Sequence, residues 1–166
     1  MDIKKYPCSL HSHTDFSNFR LRDAITTVKT LIDKAIELGH GGIAITEHDT
    51  ISSAIRIEKY YKEIKEKNPD FKVLRGNEIY LTRNGLNASN YDREVDRYYH
   101  FVLIAKNAKG HQQIRELSTR AWSHAYTYRG MMRVPTYYQD LWDIVEKEPG
   151  NLIATTACLG GLVGTN

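Results

Sequence analysis

Cysteine, proline and long apolar runs are scarce in this sequence, which contains only two cysteines and four prolines among 166 residues. The two cysteines, Cys8 and Cys158, are too few for a disulfide framework and are consistent with a reducing compartment. No run approaches the ~18 consecutive apolar residues of a membrane-spanning helix, and residues 1–5 are too short for a signal peptide. We therefore expect a cytoplasmic protein that does not enter a membrane.

An excess of one charge is also missing, because 23 basic and 20 acidic residues leave a formal net charge of only +3. This balance does not by itself predict binding to nucleic acid. The composition, 41% hydrophobic and 26% charged, is typical of a folded soluble protein, and the length suffices for one domain with a substantial core. Motifs, rather than composition, must therefore indicate the function.

Apolar periodicity predicts helices that alternate with short buried strands. Such alternation is typical of βαβ units in a parallel sheet or barrel. A barrel needs about seven or eight strands, more than the sequence supplies, which leaves either an open fold or an N-terminal fragment as the interpretation. The predicted helices cover about residues 26–38, 50–67, 109–126 and 136–146, the predicted strands cover 42–46, 71–74 with 76–81, 100–105 and 151–156, and residues 82–98 are predicted to be a surface loop.

A pair of histidines near the N-terminus, His11 and His13, is the first candidate for chemistry. Residues two apart on an extended segment point to the same face, so the two imidazoles would form a chelate for a divalent metal. A His-x-His pair on a polar loop is, however, more often a chance pair. The other polar residues of the chain therefore decide between the two interpretations.

Four further potential ligands, His48, Glu78, His100 and Cys158, lie at or beside the ends of predicted strands. In parallel α/β folds, active residues collect at the C-terminal ends of strands. His48 and Cys158 fit that geometry, and Glu78 fits if Gly76 breaks its strand. His100 is an awkward case because it opens its strand rather than closing it. Each residue alone would be a hydrogen-bonded polar group or, for the cysteine, a small apolar residue. Their co-occurrence favours one common site.

The mixture of imidazoles and carboxylates suits Zn²⁺, Mn²⁺ or Fe. Clusters of this kind hold neighbouring ions about 3.5 to 4 Å apart in enzymes that hydrolyse phosphoesters, and such ions acidify water. We therefore predict metal-dependent phosphoester hydrolysis. Neither a Walker A motif nor a Gly-x-Gly-x-x-Gly motif occurs. We interpret the aromatic run from Trp122 to Trp142 as the packing of two helices rather than as a surface for base stacking.

The order and spacing of these residues resemble the PHP (polymerase and histidinol phosphatase) superfamily. His11-Ser12-His13 with Asp23 is similar to its first motif, residues 46–48 and 76–78 to its second and third. Glu47 stands where the family usually has aspartate, which we expect to be tolerated because the neighbouring histidine is the ligand. By this resemblance seven residues line the metal site, namely His11, His13, Asp23, His48, Glu78, His100 and Cys158, and His11, His13 and Glu78 form its catalytic core.

Residues 103–107, 114–118 and 152–161 are similar to one branch of the superfamily, the N-terminal PHP domain of bacterial C-family DNA polymerase III α subunits. The resemblance implies an α/β fold, a distorted (β/α)7 barrel that is incomplete at its C-terminal end, with residues 1–166 forming part of a longer polymerase chain. It also implies two or three divalent ions (Zn, Mn or Fe) and 3′-5′ exonuclease proofreading. The implied partners are a DNA 3′ end as substrate, the remainder of the polymerase chain and other replisome subunits.

Two alternatives stay open at this point. One is a catalytically inactive domain that supports the polymerase and docks other subunits. The other is a stand-alone PHP phosphatase that acts on a small phosphomonoester. The family's last motif, Asp-x-His, does not occur in this sequence. Three arginines, Arg20, Arg22 and Arg83, are candidates for positioning a phosphate.

Overall fold

The computed structural model describes residues 8–19, 22 and 24–164. Helices and strands lie at each predicted position, with ends shifted by a few residues. Within the described ranges the helices are α1 (Val28–Glu37), α2 (Ala54–Ile64), α3 (Ala108–Ser123) and α4 (Tyr138–Lys147), the strands are β1 (Gly42–His48), β2 (Lys72–Thr82), β3 (Tyr99–Ala105), β4 (Tyr126–Tyr128), β5 (Met131–Arg133), β6 (Thr136–Tyr137) and β7 (Leu152–Thr155), and a short 3-10 helix covers Asp15–Phe19.

The main sheet is mixed, with the strand order β1-β2-β3-β7 and β6 paired to β2. β1 and β2 are parallel, whereas β3 is antiparallel to both β2 and β7. A parallel pair needs a crossover connection that is usually helical, and residues 83–98 between β2 and β3 contain no helix. The predicted α/β class is confirmed, and the mixed sheet is consistent with an incomplete distorted barrel.

The reversed direction of β3 explains the position of His100. His100 is the second residue of β3 and pairs with Tyr80, two residues beyond Glu78 on β2. Because β7 is antiparallel to β3, its C-terminal end, which leads to Cys158, lies at the same edge of the sheet. His100 was an awkward candidate only on the assumption that β3 is parallel to β2, and the antiparallel direction of β3 removes this difficulty.

β2 runs without a break through Gly76, so the strand break at this glycine that would have placed Glu78 at a strand end does not occur. Gly76 pairs with Thr46 on β1 and with Ile104 on β3. A Cβ atom at this position would lie 2.5 Å from the carbonyl oxygen of Leu103 and 2.7 Å from Cγ2 of Thr46. Glycine therefore permits the close approach of three strands immediately before Glu78.

The two faces of the sheet carry different residues. On one face, two apolar clusters that include Ile45 and Leu103 pack against the four helices. The opposite face carries a smaller apolar cluster of Ala44, Val102 and Ile104. Because side chains alternate along each strand, the register places four polar or aromatic residues on this second face, namely His48, Glu78, Tyr80 and His100.

The segment after α3 differs most from the prediction. The predicted helix continues to residue 126, but α3 ends at Ser123, and β4 and β5 form an antiparallel hairpin. Its turn residues, Arg129 and Gly130, both have a positive φ, 49° and 77°, as a two-residue type I′ turn requires. Trp142 was expected to face inward but is 63% exposed, because Ile144 takes the buried position on α4.

None of the helices in the described ranges is long and apolar enough to cross a lipid bilayer.

Candidate metal centre

Glu78 lies among four histidines on the face of the sheet opposite the helices. Its side chain is 1% exposed, and its Oε2 atom lies 2.9 Å from Nε2 of His11 and 3.0 Å from Nε2 of His13. The same oxygen lies 3.1 Å from Nδ1 of His48, while Oε1 lies 2.8 Å from Nδ1 of His100. One buried carboxylate therefore faces four imidazoles.

The histidines decide the charge of Glu78. Burial alone raises the pKa of Glu78, but the contacts with the ring nitrogens of His100, His11, His13 and His48 outweigh burial and lower that pKa well below its usual range. The carboxylate is therefore ionised at neutral pH. A buried negative charge of this kind requires cationic or hydrogen-bonding partners around it.

β1 and β2 position His48. His48 is the last residue of β1 and lies directly opposite Glu78 in the parallel register. Its Nδ1 atom lies 2.9 Å from the hydroxyl of Tyr80, and its ring stacks on that of His13 with centroids 4.1 Å apart. His48 is only 6% exposed, so its ring is held by packing as well as by hydrogen bonds.

An extended segment beside β1 positions His11 and His13. Ser9 forms a parallel bridge with Ile43, and the backbone N–H groups of Ala44 and Thr46 donate to the carbonyl oxygens of Ser9 (2.7 Å) and Ser12 (2.9 Å). The two histidine rings consequently lie on the same side, with their Nε2 atoms 3.0 Å apart. This is the geometry expected from the His-x-His spacing.

A buried hydrogen-bond network behind His13 determines its tautomer. The Ser17 hydroxyl donates its single proton to Oε2 of Glu47 at 2.5 Å and accepts the N–H of His48 at 3.1 Å. Its Oγ can therefore only accept from Nδ1 of His13, 3.2 Å away, which places the ring proton on Nδ1. Glu47 is 1% exposed and also accepts the N–H and the hydroxyl of Thr14.

This tautomer leaves a lone pair on Nε2 of His13 that faces an oxygen of Glu78 at 3.0 Å. Two lone pairs at that distance repel each other unless a proton, on His13 itself or on Nε2 of His11 3.0 Å away, or a metal cation lies between them. Nε2 of His11 converges on the same oxygen. Imidazole nitrogens and carboxylate oxygens are the ligands that zinc, manganese and iron accept, so the residues present fit a divalent metal.

Two groups of three ligand atoms share Glu78. One contains His11, His13 and Glu78, the other contains Glu78, His100 and Cys158, and within each group the ligand atoms lie within 4.8 Å of one another. Cys158 is exposed, and its Sγ lies 3.2 Å from Nδ1 of His100. A carboxylate with two oxygens can bridge two neighbouring ions, so the arrangement fits a centre with more than one metal.

The backbone is strained next to two of these candidate ligands. Asp49, directly after His48, has a φ of 52°, and Ala157, directly before Cys158, has a φ of 55°. Residues with a side chain rarely adopt this left-handed region, and such strain is concentrated at functional sites.

The structure brings six of the seven predicted ligands to one place, whereas Asp23 lies outside the described residues. Arg20 lies outside them as well, and Arg22 is exposed. Arg83 pairs with Asp96, with Nε 2.5 Å from Oδ1, so it is not directed at the centre. Trp122 does not pack between two helices as expected, since its Nε1 donates to the carbonyl of Asp49 at 2.8 Å.

Sequence reasoning missed three residues that support the ligands. Ser17 bonds to His13 and His48, and Tyr80 bonds to His48. Glu47 acts through Ser17, whose hydroxyl it accepts. One signal was available: Glu47 interrupts an apolar strand, and an acidic residue inside a buried strand requires a partner. The partner itself was not predictable, because Ser17 is 30 residues away along the chain.

Comparison with known proteins gives the following relatives. The family described as PHP domain matches residues 9–166. The protein named Probable DNA polymerase YorL of Bacillus subtilis strain 168 is 40% identical over 157 residues, which cover 92% of this chain and 12% of that protein. The DNA polymerase III subunit alpha of Borreliella burgdorferi is 30% identical over 154 residues, which cover 93% and 12%. The chain thus spans about 12% of the length of these relatives.

A solved structure with a similar fold is that of a protein from Bifidobacterium adolescentis described as a metal-dependent phosphoesterase. The similarity covers 71% of this chain and 35% of that protein, with 24% identity and a TM-score of 0.43. At this level of similarity it carries no argument about the site.

Proposed function

Because this chain belongs to the PHP domain family, we propose that it is the metal-dependent phosphoesterase domain of a DNA polymerase of the polymerase III α type. In this proposal the domain removes nucleotides from DNA 3′ ends by hydrolysis. The polymerase names of its relatives support the parent protein, and the chemistry of the site supports the reaction class. The domain assignment covers residues 1–166.

The contact between His13 and Glu78 is the observation that carries the proposal. The lone pair that Ser17 leaves on Nε2 of His13 lies 3.0 Å from Oε2 of Glu78, and Nε2 of His11 lies 2.9 Å from the same oxygen. Imidazole nitrogens and a carboxylate oxygen that converge in this way are the ligands that a divalent metal takes. This convergence supports a metal ion at the centre.

In this proposal, two or three divalent ions would be held by the residues that the sequence predicts as ligands. Bound Zn, Mn or Fe ions would polarise the phosphodiester and supply acidified water. His11, His13 and Glu78 form the proposed catalytic core, and their exposure of 28%, 22% and 1% leaves the histidines open to substrate from the solvent side. The full set of proposed ligands is His11, His13, Asp23, His48, Glu78, His100 and Cys158.

The surrounding residues orient these ligands. Ser17 and Glu47 keep the proton of His13 on Nδ1. The Tyr80 hydroxyl contacts Nδ1 of His48, which limits rotation of that ring. Groups that hold a ligand in one tautomer and one orientation raise its affinity for metal.

The proposed setting follows from the length of the relatives. This chain corresponds to about one eighth of their length, so the remainder of a polymerase chain would be its first partner and other replisome subunits would be further ones. The substrate would be the DNA 3′ end that the polymerase extends. Such a polymerase would act in the cytoplasm.

The first test is the metal content of the protein purified without a chelator, measured by elemental analysis for Zn, Mn and Fe. Two or more ions per chain are expected. The His13→Ala variant should contain fewer ions. Absence of bound metal, even after metal is added back, would contradict the proposed centre and favour a structural or docking domain.

The second test is hydrolysis of a 5′-labelled single-stranded oligonucleotide, analysed for shortening at its 3′ end. We expect progressive shortening by the metal-loaded protein and none by His13→Ala. Release of phosphate from small phosphomonoesters without any shortening of DNA would instead identify a phosphatase.

A further inference from the structure

A cavity of about 320 Å³ opens directly beside the candidate metal centre. His100 and Tyr80 form its wall on the side of the centre. Other walls are formed by Tyr91 and Tyr98, which lie between β2 and β3, and by Arg133 of β5. The cavity therefore joins the metal centre to the β4–β5 hairpin, which has no assigned role.

Arg133 lacks an anionic partner in this cavity. Its guanidinium carbon lies 5.9 Å from the ring centroid of Tyr91 and 5.6 Å from that of Tyr98. Its Nε is buried without a hydrogen-bond partner, and no carboxylate of the described ranges lies within ion-pair distance of it. Stacking on aromatic rings leaves the N–H groups at the edge of a guanidinium available to a ligand.

The acidic residue of the cavity does not neutralise Arg133. Asp96 is bound by Arg83, with Nε–Oδ1 and Nη2–Oδ2 distances of 2.5 and 3.2 Å. Burial and the 2.5 Å contact with Tyr126 raise the pKa of Tyr98 above its usual range, so this phenol stays neutral as well. The uncompensated charge of the cavity is consequently positive.

A second, smaller cavity of about 180 Å³ continues from the first. The two share Tyr91, Met131 and Arg133, and the second adds Arg93 and Arg129. Within the described ranges, neither of these two arginines forms an ion pair; the guanidinium carbon of Arg129 lies over the ring of Tyr128, 5.4 Å from its centroid. Three arginines without an ion pair among the described residues, together with several tyrosines, therefore line a path through the two cavities that reaches His100.

We propose that this path, defined by Arg93, Arg129, Arg133, Tyr91 and Tyr128, binds the single-stranded end of a nucleic acid and directs it to the metal centre. The inference rests on the proposed function and names the form of its substrate. Unpaired guanidinium groups bind phosphates, preferably through two parallel hydrogen bonds. Aromatic rings between them provide surfaces for unstacked bases, which a duplex does not offer. Arg133, nearest the centre, would contact a phosphate close to the cleaved bond.

The test measures binding without hydrolysis. Fluorescence anisotropy with a labelled single-stranded oligonucleotide is recorded on the His13→Ala protein, in which cleavage is expected to be absent. Arg133→Gln in this background should raise the Kd about 10-fold or more, because hydrogen bonds to charged groups are strong. The slope of log Kd against log salt concentration should fall by about 0.7 for each arginine lost.

Two further variants keep the outcome clear. Arg93→Gln combined with Arg129→Gln changes two residues on exposed turns and should weaken binding even if Arg133→Gln disturbs folding. Arg115→Gln makes the same charge change at the opposite end of the sheet and should leave both the Kd and the salt slope unchanged.

The results distinguish this inference from the proposed function. Wild-type affinity in the Arg133 variant and in the double variant would overturn the path, even if the metal centre hydrolyses DNA. Tighter binding of a blunt duplex than of the single strand would also overturn it. Loss of binding in these variants supports the path whether or not the protein cleaves the strand.

Discussion

Histidines at the two ends of the sheet have opposite surroundings. At one end, four histidines surround the carboxylate of Glu78. At the other end, His111 lines a cavity of about 500 Å³ together with Arg75 and Arg115. Burial, followed by these two arginines, lowers the pKa of His111. The same type of side chain therefore faces a carboxylate at one end of the sheet and two arginines at the other.

The difference shows that a histidine acquires a role from the groups that face it. A carboxylate accepts from imidazoles and attracts metal ions. Arginines repel both a proton on the ring and a metal ion beside it. His111 also has a buried Nε2 without a hydrogen-bond partner among the described residues, so burial alone does not make a histidine a ligand.

Replacing the carboxylate of Glu78 should remove the difference between the histidines at the two ends of the sheet. Of these variants, we expect it to have the largest effect on metal binding. In Glu78→Gln, the four imidazoles lose their common negative partner while the side-chain volume is kept. We expect metal affinity to fall more than about 100-fold, beyond the range for loss of a supporting residue, and hydrolysis to be lost. Titration against a chelating dye measures the affinity.

The matched control for this variant is Glu66→Gln, an exposed glutamate after α2, which should bind metal as the wild type does. Undiminished metal content in Glu78→Gln, with an unchanged circular dichroism spectrum, would show that Glu78 is not the centre of the site.

Removing the Ser17 hydroxyl tests how much the surroundings of a histidine matter, since this change affects the tautomer of His13 without removing His13 itself. Ser17→Ala should reduce metal affinity about 10- to 100-fold, the usual effect of losing a group that orients a ligand. In nitrogen-15 NMR spectra of the metal-free protein, His13 should lose its preference for a proton on Nδ1.

Ser12→Ala provides the control, because the Ser12 hydroxyl contacts Ser9 and not a histidine. It should change neither the affinity nor the spectrum. If Ser17→Ala kept both, the tautomer assigned to His13 would be incorrect.

The smallest effect is expected at the opposite end of the sheet. Since the pKa of His111 is lower in the folded protein than its usual 6.5, the unfolded chain binds more protons between these two pKa values. His111 therefore makes the folded state lose stability as the pH falls below about 6.5. His111→Gln should reduce this loss, which urea denaturation of the metal-free protein at several pH values will measure.

A second variant tests whether this effect depends on the charge beside His111. Arg115→Gln removes one of the two arginines that lower the pKa of His111, so its loss of stability at low pH should be smaller than that of the wild type. A pH dependence in His111→Gln that equals the wild type would contradict the role given to the two arginines.

Local patterns predicted the elements and most of the candidate ligands. Helical spacing of apolar residues located α1 and α3, and Thr27 and Asn107 cap their first turns as such residues commonly do. The two-residue spacing of His11 and His13 predicted that their rings lie together. These features depend on a few neighbouring residues, which is why a single sequence reveals them.

Strand direction and the residues behind the ligands were not predictable in the same way. Periodicity shows that residues 100–105 form a buried strand but not which way the strand runs. The β4–β5 hairpin was missed because its strands have three residues each, too few to show alternation. Gly76 resembled a strand end, although its lack of a side chain permits a continuous strand.

The sequence by itself determined the types of candidate ligand, their order along the chain and the periodicity of the elements that carry them, because these depend on local chemistry. Only the tertiary structure decided that β3 runs antiparallel to β2, that Ser17 and Glu47 lie behind His13, and that Arg133 lies unpaired beside His100. The physical reason is that these arrangements join residues far apart in the chain, whose distances are set by strand pairing and core packing.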